Sequence, residues 1–320
     1  MKFVTDIIGP ELKIFESKFS DAVKSNTALL DSIMKYIIKR KGKQLRPMFV
    51  FLSAKLHGEI NEKTYRAAAL VELLHTATLV HDDVVDESFE RRGFFSINAI
   101  WKNKIAVLVG DYLLSKGLLL STTNEDFKHL HILSDAVRQM SEGELLQIEK
   151  SRKLNLDENI YFEIIKNKTA SLLSSACGVG AYSTTGDEDI TNKMKLFGEK
   201  VGIAFQIKDD LFDYGSADIG KPTGNDIKEK KLTLPLIYAL NTADRATKQR
   251  IIYTIKNNNK NPLKVKEVID FVSKSGGIEY TEKKMFAYRD EALIILNSFA
   301  DTPVRKALEE LVRFTTDRKY

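Results

Sequence analysis

Apolar side chains recur along this chain at three- and four-residue intervals, as in Leu70, Leu73, Leu74 and Ala77, or Ile132, Leu133, Ala136, Val137 and Met140. A helix turns once in 3.6 residues, so such spacing lines one face, and no convincing period-two alternation competes with it. The pattern predicts helices around 64–86, 104–121, 126–150 and 189–213, each apolar on more than one side, as suits a core layer enclosed by other helices. Polar breaks at Asn61-Glu62-Lys63, Ser121-Thr122-Thr123-Asn124, Asn155-Leu156-Asp157 and Thr184-Thr185-Gly186-Asp187 can each cap a following helix. About ten helices or slightly more are expected, in one all-α domain over residues 1–320. Gly215 to Lys231 reads as a loop and residues 255–265 as an exposed connection.

Composition supports this picture. Six prolines occur in 320 residues and none lies between Pro47 and Pro222, which leaves room for long helices. With 43% apolar and 29% charged side chains the chain is globular rather than disordered. A formal net charge of only +5 gives no reason to expect a nucleic-acid partner. Cys177 is the single cysteine and cannot form an internal disulfide, and Asp6 and Glu11 interrupt the apolar stretch that a secretory signal would need. A cytoplasmic location is therefore expected. Apolar runs such as Ile105–Val109 and Leu118–Leu120 are far shorter than the roughly 18–20 residues that cross a bilayer, so at most peripheral membrane contact is expected.

One short acidic pattern appears twice. Asp-Asp-x-x-Asp stands at Asp82, Asp83 and Asp86 in LVHDDVVDES and again at Asp209, Asp210 and Asp213 in QIKDDLFDYG, each time at the end of an apolar helical run. With 22 Asp in 320 positions, random placement gives about 0.1 such motif per chain. Residues i and i+4 share a helix face about 5–6 Å apart, so Asp82 pairs with Asp86 and Asp209 with Asp213. Like charges so close repel unless a cation sits between them. Hard oxygen donors without histidine or thiolate suit magnesium, which keeps several waters and is completed by substrate phosphates. One copy alone reads equally well as a solvated helix end; two copies favour a metal and a phosphorylated substrate.

Candidate direct donors to phosphate lie close by in sequence. Arg91 and Arg92 follow the first motif in ESFERRG, and arginine forks pair with phosphate oxygens bidentately. Lys43 and Arg46 in KGKQLRP precede an apolar helix whose first turn would hold Pro47, where anions are also favoured. Lys168 with Thr169, and Lys221 and Lys231 after the second motif, are further candidates, although a lone lysine is ordinarily a solvated surface charge. His75 lies seven residues before Asp82, two turns back on nearly the same face. His81 reads as capping or packing locally, His57, His129 and His131 form no metal spacing, and Cys177 reads as a small buried residue.

Taken together, these residues resemble the trans-prenyltransferases, or polyprenyl diphosphate synthases, in the medium- to long-chain bacterial, octaprenyl-diphosphate-synthase-like form. The landmarks occur in order over roughly residues 30 to 240: GKQLRP at 42–47, HTATLVHDDVVD at 75–86, RRG at 91–93, VGDYLL at 109–114, EGELLQ at 142–147, KT at 168–169, FQIKDDLFDYG at 205–215 and GKPTGNDIKEKKLTLP at 220–235. The resemblance implies an all-α, isoprenoid-synthase-type bundle of ten or more mostly antiparallel helices, usually a homodimer, with the two acidic motifs facing each other across a deep central cavity. It implies that Asp82, Asp86 and Asp209 hold magnesium, three ions with substrate bound and manganese able to substitute, while Asp83, Asp210 and Asp213 support them. By the same likeness Arg91, Lys168, Thr169, Gln206, Lys221 and Lys231 contact the allylic diphosphate, and Lys43, Arg46, His75 and Arg92 hold isopentenyl diphosphate. The implied reaction ionises the allylic C–O bond and lets the isopentenyl π-bond attack the cation, with no Ser-His-Asp or thiolate nucleophile.

Some positions depart from the family pattern. Lys41-Gly42-Lys43 stands where Gly-Gly-Lys is usual, Gln44 where a basic residue is usual, and Phe95 and Asn98 where Pro and His often follow the RRG. In the family, large aromatics four and five residues before the first Asp close the cavity; here those positions are Thr78 and Ala77, which predicts a product of about six to ten isoprene units. The cavity floor would then lie elsewhere, with Tyr112, Phe127, Met140 and Phe162 as candidates. Two rival readings are a class I terpene cyclase, which typically carries an Asn/Asp-Ser/Thr-Glu pattern in place of the second motif, and a helical accessory subunit of a heteromeric synthase.

Overall fold

The computed structural model describes residues 1–39, 42–91, 93–153, 157–215 and 224–318, excepting the side chains of Arg91, Arg152 and Lys153. The chain opens with α1 (Lys2–Ala22), α2 (Ala28–Lys39), α3 (Leu45–His57) and α4 (Glu62–Val85). A small antiparallel hairpin of β1 (Glu90–Arg91) and β2 (Phe94–Phe95) precedes α5 (Ile97–Thr123) and α6 (Phe127–Lys153). Next come α7 (Glu158–Ile165), a π-turn over Lys166–Ala170, α8 (Ser171–Thr185) and α9 (Glu188–Phe212). The remaining helices are α10 (Asn225–Lys228), α11 (Leu234–Thr242), α12 (Arg245–Asn258), α13 (Pro262–Lys274), α14 (Gly277–Asn297) and α15 (Pro303–Asp317).

Local chemistry explains these boundaries. The Asn61 side chain accepts from the backbone N–H of Lys63 at 2.9 Å and of Thr64 at 3.2 Å, starting α4 where the polar break predicted. Asp157 accepts from Ile160 N–H at 2.9 Å and starts α7. The helix expected at 104–121 begins earlier, at Ile97, because a short helical stretch precedes Lys102, whose φ of 73° breaks the spiral. Two expected connections are shorter than the sequence suggested. Helix α10 occupies part of the segment read as the loop Gly215–Lys231, and the connection read over 255–265 contracts to residues 259–261, since Asn261 caps α13 through Leu263 N–H at 3.0 Å.

The chain gathers into two compact units. The first comprises Met1–Val137, Ser175–Lys195 and Asp301–Leu308, and the second Arg138–Ser174, Leu196–Ala300 and the chain from Glu309 onward. In the first, Val23, Ile33, Leu73, Ala77, Val109 and Leu113 belong to one buried apolar cluster that draws α2, α4 and α5 together. Gly110 lets α5 approach α4 closely: a β-carbon there would meet His81 Nε2 at 2.0 Å. Cys177 is fully buried, with burial pushing its thiol up to about 12, as a small core residue rather than a nucleophile. In the second, Tyr161, Ile165, Ile207, Leu236, Ile251 and Met285 belong to the corresponding cluster.

Helix α5 joins several of the short apolar runs into one element. Taken whole, it is long and apolar enough to cross a membrane by length and composition, although the interruptions by Lys116 and Gly117 hide this from a search for unbroken runs. One third of its most apolar stretch is buried, and Val107, Leu108, Leu118 and Leu119 lie exposed along one face.

Candidate active site

Helix α4 runs into the first acidic motif and α9 into the second. The C-terminal end of a helix carries partial negative charge, so carboxylates there are disfavoured and cations welcome. Neither last turn holds a basic residue. Both helices thus place acids where helix electrostatics oppose them, an arrangement that a bound cation relieves.

Within each motif the middle aspartate turns inward. Asp83 is 4% exposed and Asp210 6%, whereas Asp82 and Asp209 are half-buried and Asp86 is exposed. The carbonyl of Asp83 accepts from Ser88 N–H at 2.9 Å and from the Asn98 side-chain amide at 3.0 Å, which fixes the chain as it leaves α4. Asn98, one of the departures from the family pattern, therefore has a structural task beneath the first motif.

The second motif sits in a denser network. Both oxygens of Asp210 are engaged, Oδ2 by the Tyr161 hydroxyl at 2.7 Å and Oδ1 by the Gln206 amide at 2.8 Å. Gln206 in turn accepts from the Thr169 hydroxyl at 2.8 Å. Burial pushes the Asp210 carboxyl up to about 7, against the lowering effect of its two donors. Asp213 accepts from Asn225 N–H at 2.8 Å and Asp226 N–H at 3.0 Å, so its carboxylate caps α10 and clamps the chain that follows the motif. Asp209 forms an ion pair with Arg318, whose Nη2 lies 2.5 Å from Oδ1.

A cleft of about 120 Å³ opens beside this network, lined among others by Lys168, Thr169, Gln206, Asp210, Asp226 and Lys231. The sequence candidates Lys168, Thr169, Gln206 and Lys231 are thus brought together. Lys168 and Thr169 stand on the π-turn, where the Ser171 N–H reaches back to the Lys166 carbonyl and the helix widens; such turns recur at functional sites. Lys168 pairs with Glu144 of α6, and the glycine of EGELLQ permits the approach, because a β-carbon on Gly143 would meet Lys168 N at 2.9 Å. Lys231 pairs with Glu229 at 2.5 Å. Asp226 is pushed up to about 8, first by burial and then by the neighbouring Asp210 and Asp213.

Other candidates lie in the first unit. Lys43 is exposed and Arg46 half-buried in the first turn of α3, whose N-cap, Gln44, sits at φ 53° and makes no side-chain capping bond. His75 is buried on α4, and Thr78 donates to its carbonyl at 2.9 Å. Ala77 is fully buried in the α2–α4–α5 cluster, while Thr78 is half-buried one turn before Asp82. Among the floor candidates, the Tyr112 hydroxyl donates to the Lys24 carbonyl at 2.8 Å, Phe127 is 59% exposed, Met140 is half-buried, and Phe162 packs on Tyr161. Arg92, Lys221 and the side chain of Arg91 lie outside the described residues.

The donor chemistry fits a hard divalent cation. Asp82, Asp86 and Asp209 offer carboxylate oxygen without thiolate. Among the described residues no three His, Cys, Asp or Glu side chains converge as a ready-made cage. Magnesium is ordinarily held in this way, by one or two carboxylates with water and phosphate completing the shell. Sequence reasoning missed Tyr161, Asp226, Glu144 and Arg318. Tyr161 stands 49 residues from Asp210 and Arg318 109 from Asp209, so no local spacing could reveal either pair.

Comparison with known proteins shows the family. A family profile described as polyprenyl synthetase matches residues 27–272. An all-trans-nonaprenyl-diphosphate synthase (geranyl-diphosphate specific) of Rhodobacter capsulatus is 36% identical over 99% of this chain and 98% of its own length. Heptaprenyl diphosphate synthase component 2 of Bacillus subtilis is 32% identical over 100% of this chain and 91% of its own. A polyprenyl synthase from Caulobacter crescentus, solved with calcium and isoprenyl diphosphate, superposes with a TM-score of 0.92 at 33% identity, covering 100% of this chain and 98% of that one. The chain is a prenyltransferase and belongs to the polyprenyl synthetase family.

Proposed function

We propose that this protein condenses isopentenyl diphosphate head-to-tail onto an allylic diphosphate, releasing diphosphate and building an all-trans polyprenyl diphosphate of about six to ten isoprene units. The observation that carries the reading is the pair of acidic helix ends on α4 and α9, where helix electrostatics favour a cation and the donors suit magnesium. Asp82, Asp86 and Asp209 hold the ions, three with substrate bound. When bound, the metal neutralises charge developing on the departing diphosphate.

The chain's own side chains do the rest. Lys168, Lys231, Arg91 and Lys221 steady the allylic diphosphate, with Thr169 and Gln206 holding Asp210 behind them. Lys43, Arg46, His75 and Arg92 hold isopentenyl diphosphate, the open N-terminus of α3 adding backbone N–H groups. The allylic C–O bond breaks, the isopentenyl double bond forms the new C–C bond, and the released diphosphate takes the proton that restores the double bond. Apolar walls exclude water, which would quench the cation. The names of the nonaprenyl and heptaprenyl relatives support the long product.

The exposed face of α5, with Val107, Leu108, Leu118 and Leu119, supports a homodimer. The enzyme acts in the cytoplasm, with peripheral contact as its lipid product reaches a membrane. Incubating the purified chain with magnesium, isopentenyl diphosphate and a farnesyl starter, then weighing the product by mass spectrometry, tests the reading. Turnover of the allylic diphosphate without isopentenyl diphosphate would mean a terpene cyclase. Activity only with a second protein would mean one component of a heteromer.

A further inference from the structure

We infer that Arg318 makes metal loading at the second acidic motif conditional on the arrival of a diphosphate. This rests on the reading of Asp209 as a metal ligand given above. Arg318 follows α15, and its Nη2 donates to Asp209 Oδ1 at 2.5 Å. Its guanidinium lies 4.2 Å from the ring centre of Phe205 and 5.4 Å from that of Phe212. Phe205, Asp209 and Phe212 are spaced four and three residues apart, so they share one face of α9, and the arginine is laid along that face. Stacking holds the planar cation in a way that a flexible ammonium would not reproduce. The Arg318 Nε–H is buried with no hydrogen-bond partner among the described residues.

The consequence is electrostatic. A fixed positive charge on Asp209 opposes the end of α9 and stabilises the carboxylate in the metal-free protein. The same charge repels a divalent ion that arrives alone, since both would share one carboxylate within a few ångströms. A diphosphate with about three negative charges reverses the balance, because the guanidinium then attracts the anion that the metal also binds. Arg318 therefore weakens binding of the bare ion and strengthens binding of the ion together with diphosphate. It acts as a positioning and coupling residue for Asp209 rather than as a reacting group.

The test is to titrate the full-length protein with Mn²⁺, followed by electron paramagnetic resonance, with and without inorganic pyrophosphate. In the wild-type protein pyrophosphate should tighten Mn²⁺ binding strongly. In Arg318→Gln, Mn²⁺ alone should bind several-fold more tightly and Mn²⁺ with pyrophosphate about tenfold more weakly, so that the coupling between them shrinks. Equal changes in both arms, or none, would overturn the inference and leave the metal site standing. Absence of pyrophosphate-dependent Mn²⁺ binding in the wild-type protein would overturn the reading of the site and the inference with it. Should Arg318→Gln not fold, Phe205→Leu removes part of the stacking surface while keeping the charge; it should reduce the coupling in the same direction, and an unchanged coupling would overturn the inference.

Discussion

The Tyr161 hydroxyl donates to Asp210 Oδ2 across 2.7 Å, and both residues are buried. With Gln206 engaging the other oxygen, Asp210 is held by a protein donor on each oxygen and anchors the end of α9. Tyr161→Phe keeps the ring packing and deletes one donor, leaving a buried acceptor unpaired at a cost of about 1–3 kcal/mol. Denaturant unfolding should show that loss. Activity should fall about tenfold with a raised magnesium requirement, as for other residues that orient a metal site from behind. Wild-type stability and magnesium dependence in the variant would remove Tyr161 from this role.

Two buried carboxyls in one cleft give the metal-free protein a distinctive pH response. Burial pushes Asp210 up to about 7 and Asp226 up to about 8. Between the unfolded carboxyl value near 4 and these folded values, the native state binds more protons than the unfolded state, so stability falls as pH rises and levels off above about 8. The usual paired carboxylate does the reverse. Thermal unfolding from pH 5 to 9 without metal should show a falling melting temperature, and Asp226→Asn, which cannot ionise, should flatten the upper part of that slope. A melting temperature that climbs across this range would contradict the assignment.

Close packing behind the first motif can be probed by one methyl group. A β-carbon on Gly110 would lie 2.0 Å from His81 Nε2, and His81 immediately precedes Asp82. Gly110→Ala should therefore cost about 1–3 kcal/mol through overpacking and should displace the helix end that bears the acids. The clash is with a side chain rather than backbone, so adding His81→Ala should recover part of the loss. Additive effects in the double mutant would show that the two positions do not touch.

Much of this architecture was legible in the chain, for identifiable reasons. Helices α4, α6 and α9 follow their apolar periodicity to within a few residues because the apolar faces, and at α4 the Asn61 cap, are local in sequence. The two acidic motifs stood out because both carboxylate sets are local in sequence. What the sequence hid was contact at a distance: Tyr161 on Asp210, Arg318 on Asp209, Glu144 on Lys168. The inward turn of Asp83 and Asp210 was hidden too, because an i, i+4 argument fixes which residues share a face and leaves open which face is buried. The hairpin at Glu90–Phe95 escaped notice because its two-residue strands are too short to establish a period.

Product length separates two positions that sequence reasoning treated alike. Thr78 is half-buried on the Asp82 face of α4, four residues before the motif, so an aromatic ring there adds bulk on the side of the helix that bears the acids. Ala77 is fully buried against α5 in the cluster of Leu73, Val109 and Leu113. Enlarging it must first push packed side chains apart. Thr78→Phe should shorten the polyprenyl chain, read by mass spectrometry, with stability near that of the parent. Ala77→Phe should shorten it too, but with a loss of about 1–3 kcal/mol visible on unfolding. If Thr78→Phe folds normally and gives a product of parental length, the growing chain does not pass along this face of α4, and the length prediction built on Thr78 and Ala77 falls.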